Sequence, residues 1–181
     1  ARDIPFDGIG IQAHEPADMA FPLHRVQQIL DRYATLGKAL HITEFNECSN
    51  EQPVVGSPWR GTWTETAQAA YARDFYRLCF AHPAVAAITW WDLCDEGAWR
   101  EHGGLLRADL SPKPVYDALR KLIKEEWSTR VEATTDAEGN AAFRGFGGTY
   151  QVAVQLSNSK TVSSRELRRG TTTQWDIALT P

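Results

Sequence analysis

The first two thirds of the chain alternate between short apolar runs and longer amphipathic stretches. Residues 8–13, 40–45 and 85–91 are apolar and rich in β-branched side chains, a pattern typical of buried strands. The stretches that follow them repeat apolar residues every three or four positions, as one face of a helix does. The expected buried stripes are Leu23, Val26, Ile29 or Leu30, and Tyr33; Ala67, Tyr71, Phe75 and Leu78; and Val115, Leu119, Leu122 and Ile123. Three strand–helix repeats predict a parallel sheet with covering helices.

The connections between these elements are uneven in length. Helix-to-strand connections have about three to five residues, whereas strand-to-helix connections have roughly nine, eighteen and twenty, which is long for segments without function. The stretch from Thr62 to Glu65 has the spacing of a capping box and predicts the start of the second helix. The long connections all follow strand ends, and this is the layout of the active-site face of a (β/α) barrel.

The pattern changes after Trp127. Short strand-like runs, separated by turn signals such as Gly147-Gly148 and Arg169-Gly170, predict a small β-sandwich. These runs are 130–134, 141–144, 149–156, 161–167 and 172–179. We therefore expect two domains, residues 1–128 and residues 129–181.

Composition narrows the class of protein. The 181 residues are 43% hydrophobic and carry a net charge of −4, which is typical of a globular protein and gives no reason to expect binding to nucleic acid or to an anionic membrane. No apolar run approaches the ~20 residues that span a bilayer, and no signal peptide is present. The chain enters a strand pattern almost at once, as a piece of a longer polypeptide does. Cys48, Cys79 and Cys94 do not form a disulfide framework or a metal-ligand spacing; Cys48 and Cys94 are either bridged or free thiols.

Candidate chemistry lies at the ends of the apolar runs. Glu44 ends the second run, and the carboxyl ends of parallel strands are where active sites gather. His14 follows the first run, Trp91 is the last residue of the third, and Trp99 lies in the connection after it. Each has a simpler explanation by itself: a carboxylate can cap a loop or pair with an arginine, and a histidine or tryptophan can be structural.

Four motifs in order resemble the C-terminal part of family 10 glycoside hydrolases, the endo-β-1,4-xylanases. The motifs span residues 7–14, 42–45, 87–100, and 105–119. The resemblance covers residues 7–127 and implies an α/β fold made of the last three βα units, strands six to eight, of a TIM (β/α)8 barrel. It implies that Glu44 is the nucleophile, that His14 orients it, that Gln12 lines the pocket, and that Trp91 and Trp99 contact the sugar. No metal or cofactor is implied.

The implied chemistry needs a second carboxyl group. A retaining glycosidase uses one ionised carboxylate as nucleophile and a protonated one about 5–5.5 Å away as acid. In the family the acid lies on the fourth strand, which this chain lacks, and a complete barrel takes about 250 residues. We therefore expect the chain to be inactive alone. The missing N-terminal half belongs to the same gene product or to a second chain, or self-association covers the open strand edges.

The chain departs from the family pattern at two positions. Asp92 stands where the family often has glycine, and Asn46 where it often has aspartate, which puts the specificity for xylan in question. Asp92 is taken as a solvated loop acid, and Glu47, Asp95 and Glu96 likewise.

Two further expectations complete the sequence-based hypothesis. Residues 134–152 are similar to carboxypeptidase-regulatory or transthyretin-like sandwiches, which implies an accessory domain and, with the xylanase resemblance, a secreted, periplasmic or cell-surface protein. The function expected is hydrolysis of β-1,4-xylan. The alternatives are a non-catalytic glycan-binding or scaffolding module, or a barrel glycosidase for another β-glycan.

Overall fold

Three parallel strands form the sheet on which the candidate residues are placed. The structure is a computed structural model and describes residues 5–14 and 19–179. Strand β1 (Gly8–Ile11) pairs with β2 (Ala39–Phe45), and β2 pairs with β3 (Val85–Trp90), so the order is β1-β2-β3. Gly8 is opposite Ala39, and Leu40 is opposite Val85. The predicted parallel sheet is confirmed, and β1 is two residues shorter than the apolar run.

Helices cover one face of this sheet. Helix α1 is Leu23–Ala34, α2 is Glu65–Ala81 and α3 is Pro114–Lys121, and a π-helical turn, Leu122–Glu126, follows α3. The core between sheet and helices contains Phe45, whose ring stacks on Phe75 of α2 at 4.1 Å between centroids and meets Trp90 edge-on at 5.2 Å. Trp90 therefore faces the helices, as the alternation along β3 predicts.

Two helix boundaries differ from the prediction. Helix α2 is capped by Thr64, whose hydroxyl accepts a hydrogen bond from the Ala67 amide at 3.2 Å, and not by Thr62. Thr62 instead pairs with Pro53 in an antiparallel bridge within the preceding loop, so its backbone is already extended there. At the other end, the π-helical turn shifts the register after Lys121, and Ile123 is exposed instead of continuing the buried stripe.

The long connection after β2 has structure of its own. The Val54 amide donates to the Gly61 carbonyl at 2.9 Å, and the Trp63 amide donates to the Gln52 carbonyl at 2.9 Å, so the segment folds back on itself. Trp63 is fully buried in a small cluster with Ala20 and Val54. The burial of this tryptophan fixes the connection against the N-terminal end of α2.

Two compact units divide the chain, Ala1–Leu122 and Ile123–Pro181. In the second unit, β4 (Gly148–Gln155) pairs antiparallel with β5 (Lys160–Leu167) over its whole length. The rings of Phe143, Tyr150 and Trp175 lie 5.4 to 5.8 Å apart and hold extended segments against this hairpin.

The second unit contains less sheet than predicted. The runs 130–134, 141–144 and 172–179 form no strand in the described part of the chain, so a two-stranded hairpin stands where a β-sandwich was expected. Alternation of apolar and polar residues indicates extended backbone but does not specify a strand partner. The domain division at residues 128 and 129 stays a prediction. Over the described ranges, no helix has the length and apolar character needed to cross a membrane.

Candidate active site

Glu44 and His14 meet at the carboxyl ends of β2 and β1. The His14 Nε2 atom lies 2.9 Å from Glu44 Oε2, and the two side chains are 13% and 24% exposed. The distance is that of a hydrogen bond between the imidazole and the carboxylate. The pair is largely enclosed and still accessible from one side, as a reacting group has to be.

An irregularity in β2 turns Glu44 away from the core. Leu40 and Ile42 are buried two residues apart, and the next buried residue is Phe45, after three. The pairing with β3 shifts register over the same step, between Ile42 and Phe45. Bulges of this kind commonly redirect a side chain beside an active site. Here Phe45 keeps its place among the helices, and Glu44 is directed to the other face.

The backbone between β1 and His14 has an unusual conformation. Ala13 has a φ of 56°, in the left-handed region that residues with a Cβ rarely adopt. Directly after it, His14 forms a parallel bridge with Asn46 beyond the end of the regular strand pairing. Strained backbone of this kind is often found at functional sites, where neighbouring contacts hold it.

Two exposed tryptophans flank the pair. The Trp99 ring is 4.6 Å from the His14 ring, tilted by 53°, and the Trp91 ring is 6.2 Å from it, edge-on. Trp91 is 49% exposed and Trp99 is 65% exposed. Exposed indole faces beside a carboxylate can stack on the CH surface of a pyranose ring. The structure thus brings four of the five predicted site residues together.

The fifth predicted residue, Gln12, lies two positions before His14 in the sequence. It follows the last residue of β1 and is exposed. Within residues 5–14 and 19–179, no hydrogen bond joins it to Glu44 or His14. Its role in lining the pocket stays a prediction.

Several polar residues around the site are buried, contrary to the expectation that they are solvated. Glu47 is fully buried and accepts a hydrogen bond from the Cys48 amide at 3.0 Å, while Gln68 of α2 donates to the Glu47 carbonyl at 2.6 Å. Asp95 pairs with the fully buried Lys113 at 3.2 Å. The charges of Glu47 and Asp95 do not indicate partners that lie 21 and 18 residues away along the chain. The stripe expected for α2 runs through Ala67 and Tyr71 and omits Gln68, so the sequence pattern does not indicate this contact.

Asp92 is likewise held by specific partners. The Asn46 side chain donates to Asp92 Oδ2 at 2.5 Å, and the Trp99 amide donates to Asp92 Oδ1 at 3.3 Å. The two departures from the family pattern, at positions 46 and 92, therefore touch each other. Glu96 lies on the loop after β3, on which Trp99 also lies.

The three cysteines are further residues that could act as nucleophiles or metal ligands. Cys48, Cys79 and Cys94 are free thiols. Burial raises the pKa of the Cys79 thiol to about 12, so it is a core residue rather than a nucleophile. In the part of the chain that the structure describes, no cluster of three or more histidine, cysteine, aspartate or glutamate side chains is arranged to hold a metal ion.

Comparison with known proteins identifies relatives of this chain. The model of glycosyl hydrolase family 10 matches residues 1–122. A protein of Arabidopsis thaliana named endo-1,4-beta-xylanase 2 is 31% identical over 171 residues, which are 93% of this chain and 14% of that protein. Anti-sigma-I factor RsgI6 of Acetivibrio thermocellus is 26% identical over 86% of this chain and 19% of its own length.

The fold comparison agrees with the sequence comparison. The structure of native xylanase 10B from Thermotoga maritima superposes with a TM-score of 0.53 at 27% identity, over 68% of this chain and 38% of that one. The chain therefore spans well under half the length of each of these three proteins, and what it shares with the xylanase structure is part of a barrel. Because the family model covers more than half of the chain and coincides with the first compact unit, the chain belongs to glycosyl hydrolase family 10.

Proposed function

We propose that this chain carries the nucleophile half of a retaining glycoside hydrolase site that cleaves β-1,4-xylan. The observation that carries the proposal is the 2.9 Å contact between His14 Nε2 and Glu44 Oε2, made beside two exposed tryptophan faces. Membership of a family whose similar members are named endo-1,4-beta-xylanases supports the substrate.

The contact explains how Glu44 is prepared for attack. The hydrogen bond from His14 engages one carboxylate oxygen, fixes the side-chain rotamer and leaves the other oxygen for the anomeric carbon. That oxygen forms the bond to carbon as the glycosidic bond breaks, and the leaving oxygen takes a proton from a second carboxyl group. Water then displaces Glu44 from the glycosyl-enzyme intermediate, and its proton goes to the second carboxyl group, which the first step left ionised. Trp91 and Trp99 stack on the sugar during both steps.

The second carboxyl group is supplied from outside these residues. Three βα units leave β1 and β3 each paired only with β2 among the described strands, so two sheet edges have unpaired backbone groups. We propose that the N-terminal barrel half, from the same gene product or from a second chain, covers these edges and brings the acid. The isolated chain then has no turnover, and self-association is the alternative way to cover the edges.

Replacement of Glu44 in the complete enzyme, meaning this chain together with the missing barrel half, tests the nucleophile. Glu44→Gln removes the attacking charge and keeps the shape, and kcat should fall by roughly 10⁴-fold or more, as when the nucleophile of other covalent catalysts is removed. Added azide should restore turnover in Glu44→Ala and yield a glycosyl azide. The matched control is Glu96→Gln on the loop after β3, which should keep wild-type activity. Activity near wild type in Glu44→Gln would refute the assignment.

A non-catalytic role is the second candidate, because one relative is named an anti-sigma factor rather than an enzyme. Binding of xylan without turnover by the complete protein, with Glu44 unchanged, would favour this role. A reducing-sugar assay against xylan, mixed-linkage glucan and aryl xylosides would show whether the specificity is for another β-glycan.

We also propose a secreted, periplasmic or cell-surface location and an accessory role for the second unit. The location follows from the polymeric substrate, and cell fractionation of the native host tests it. The resemblance of residues 134–152 to carboxypeptidase-regulatory sandwiches supports the accessory role.

A further inference from the structure

We propose that Asp92, paired with Asn46, is a positioning residue that holds Trp99 against the His14–Glu44 pair. This inference rests on the proposed function, since its effect on a substrate requires that a sugar binds at Trp99. It gives Asp92 a structural role, where a solvated loop acid was expected.

The two oxygens of one carboxylate tie together the segments that follow two strands. Asp92 lies two residues after β3, and its Oδ2 accepts the Asn46 amide at 2.5 Å. Asn46 directly follows β2 and is fully buried. Asp92 Oδ1 accepts the backbone amide of Trp99 at 3.3 Å. This single side chain therefore joins the segment after β2 to the point where the Trp99 loop starts to turn.

These contacts form a ring of four residues, His14, Asn46, Asp92 and Trp99, and Glu44 is bonded to one of them, His14. The Trp99 ring packs on the His14 ring at 4.6 Å, and His14 bonds Glu44 at 2.9 Å. The backbone of His14 forms a β-bridge with the backbone of Asn46, and the Asn46 side chain donates a hydrogen bond to Asp92. Each member is held by the next, so loss of Asp92 frees Trp99 and leaves one side of His14 without its packing partner.

The Asn46 amide has little freedom to compensate. A Cβ added to Gly103 would lie 2.6 Å from Asn46 Oδ1 and 2.9 Å from its Nδ2, so the amide is packed directly on that glycine. The Arg100 guanidinium donates to the Asn46 carbonyl at 3.3 Å, which fixes the backbone from the same loop. Among the described residues, Asn46 Oδ1 has no hydrogen-bond partner, so the amide is held through its Nδ2 contact with Asp92.

The chemistry of the two side chains suits this arrangement. Two carboxylates at the distance between Asn46 and Asp92 would repel, so an acid at 92 requires a donor at 46. With the acid on the β3 side, its second oxygen can accept the Trp99 amide. The pair therefore fixes the tryptophan loop, and with it the exposed indole face offered to a pyranose ring.

Swapping the two side chains tests this role. Asn46→Asp places two acids together and Asp92→Ala removes both hydrogen bonds; each should raise KM on xylo-oligosaccharides and lower kcat/KM in the complete enzyme, by on the order of tenfold to a hundredfold for a misplaced contact. The double variant Asn46→Asp with Asp92→Asn restores one acid and one donor, and the carboxamide oxygen introduced at position 92 can still accept the Trp99 amide. It should recover activity to within a few-fold of wild type. Glu96→Gln, on the same loop, is the control.

Hydrogen exchange of the Trp99 amide separates this inference from the proposed function. In the 181-residue chain, exchange should be faster in Asn46→Asp and in Asp92→Ala, and near wild type in the double variant. If Asn46→Asp does not fold, Asp92→Ala decides. Wild-type exchange and kinetics in the single variants, or a double variant worse than both, would overturn the role. If the complete enzyme has no activity on xylan while the exchange pattern holds, the proposed function fails and the positioning role stands.

Discussion

Replacement of Lys113 by methionine should destabilise the first unit far more than loss of a surface charge does. Lys113 is fully buried at the start of α3, and its ammonium group contacts Asp95 Oδ1 at 3.2 Å and the His102 carbonyl at 2.9 Å. Asp95 is 11% exposed. Methionine fills a similar volume, so the change removes the charge and the hydrogen bonds without opening a large cavity.

The expected cost follows from what remains buried. Without Lys113 the Asp95 carboxylate keeps the Gly104 amide at 2.8 Å as a donor and the half-exposed His102 ring at 3.8 Å, but loses the buried ammonium charge. Breaking a buried pair by removing one partner costs about 3–5 kcal/mol. By contrast, Asp74→Asn breaks the Arg73–Asp74 pair on the surface, where both side chains are more than 40% exposed. That change should cost at most about 1 kcal/mol.

Urea unfolding followed by circular dichroism at 222 nm measures the difference, because helices α1 to α3 all lie before Ile123 and report on the first unit. Adding Asp95→Asn to Lys113→Met removes the uncompensated charge and should regain part of the lost free energy. If Lys113→Met costs no more than Asp74→Asn, or if the double variant is no more stable than the single one, the account of this pair is wrong.

Two more predictions concern close packing and a buried thiol. Gly104→Ala should lower the free energy of unfolding by about 1–3 kcal/mol in the same urea unfolding measurement, because its Cβ would lie 2.4 Å from the Cys94 carbonyl carbon. Gly8→Ala, whose Cβ meets only Ala39 O at 3.4 Å, should be nearly neutral in that measurement. Cys79 has a pKa raised from 9.0 to about 12, so the unfolded chain releases this proton first, and stability should fall from pH 9 upward and continue to fall toward pH 12. Urea titrations at pH 8 to 10.5 should show that the free energy of unfolding falls with pH less steeply in Cys79→Val than in the wild type, by up to about 1.4 kcal/mol per pH unit. Equal pH dependence in the two proteins would contradict this.

Much of the sheet and part of the site were predictable because they depend on local patterns. The apolar runs predict β2 and β3 to within a residue, and the position of Glu44 at a strand end predicts the edge where it lies. The burial of Glu47 was not predictable, because Gln68, its partner, is 21 residues away. The register irregularity that turns Glu44 outward has no local signal either, since the sequence from Ile42 to Phe45 fits a regular strand equally well.

The second unit shows a different limit of sequence patterns. Its alternating runs indicate extended backbone, and two of them do pair as β4 and β5. The remaining runs carry the same alternation and form no strand in the described part. Pairing requires complementary side chains on two segments at once, and a single run contains only half of that information.

The contacts that hold Glu44 in place join residues that are distant along the chain. His14 and Glu44 are 30 residues apart, Asn46 and Asp92 are 46 apart, and Arg100 and Asn46 are 54 apart. Such contacts form only after long loops have closed, which is slow compared with helix formation. During folding, helices α1 to α3 would therefore form before the carboxylate meets its histidine, and apolar strand edges would be exposed in the interval. The yield of refolded protein should consequently fall as the protein concentration rises, because exposed strand edges on different chains can associate.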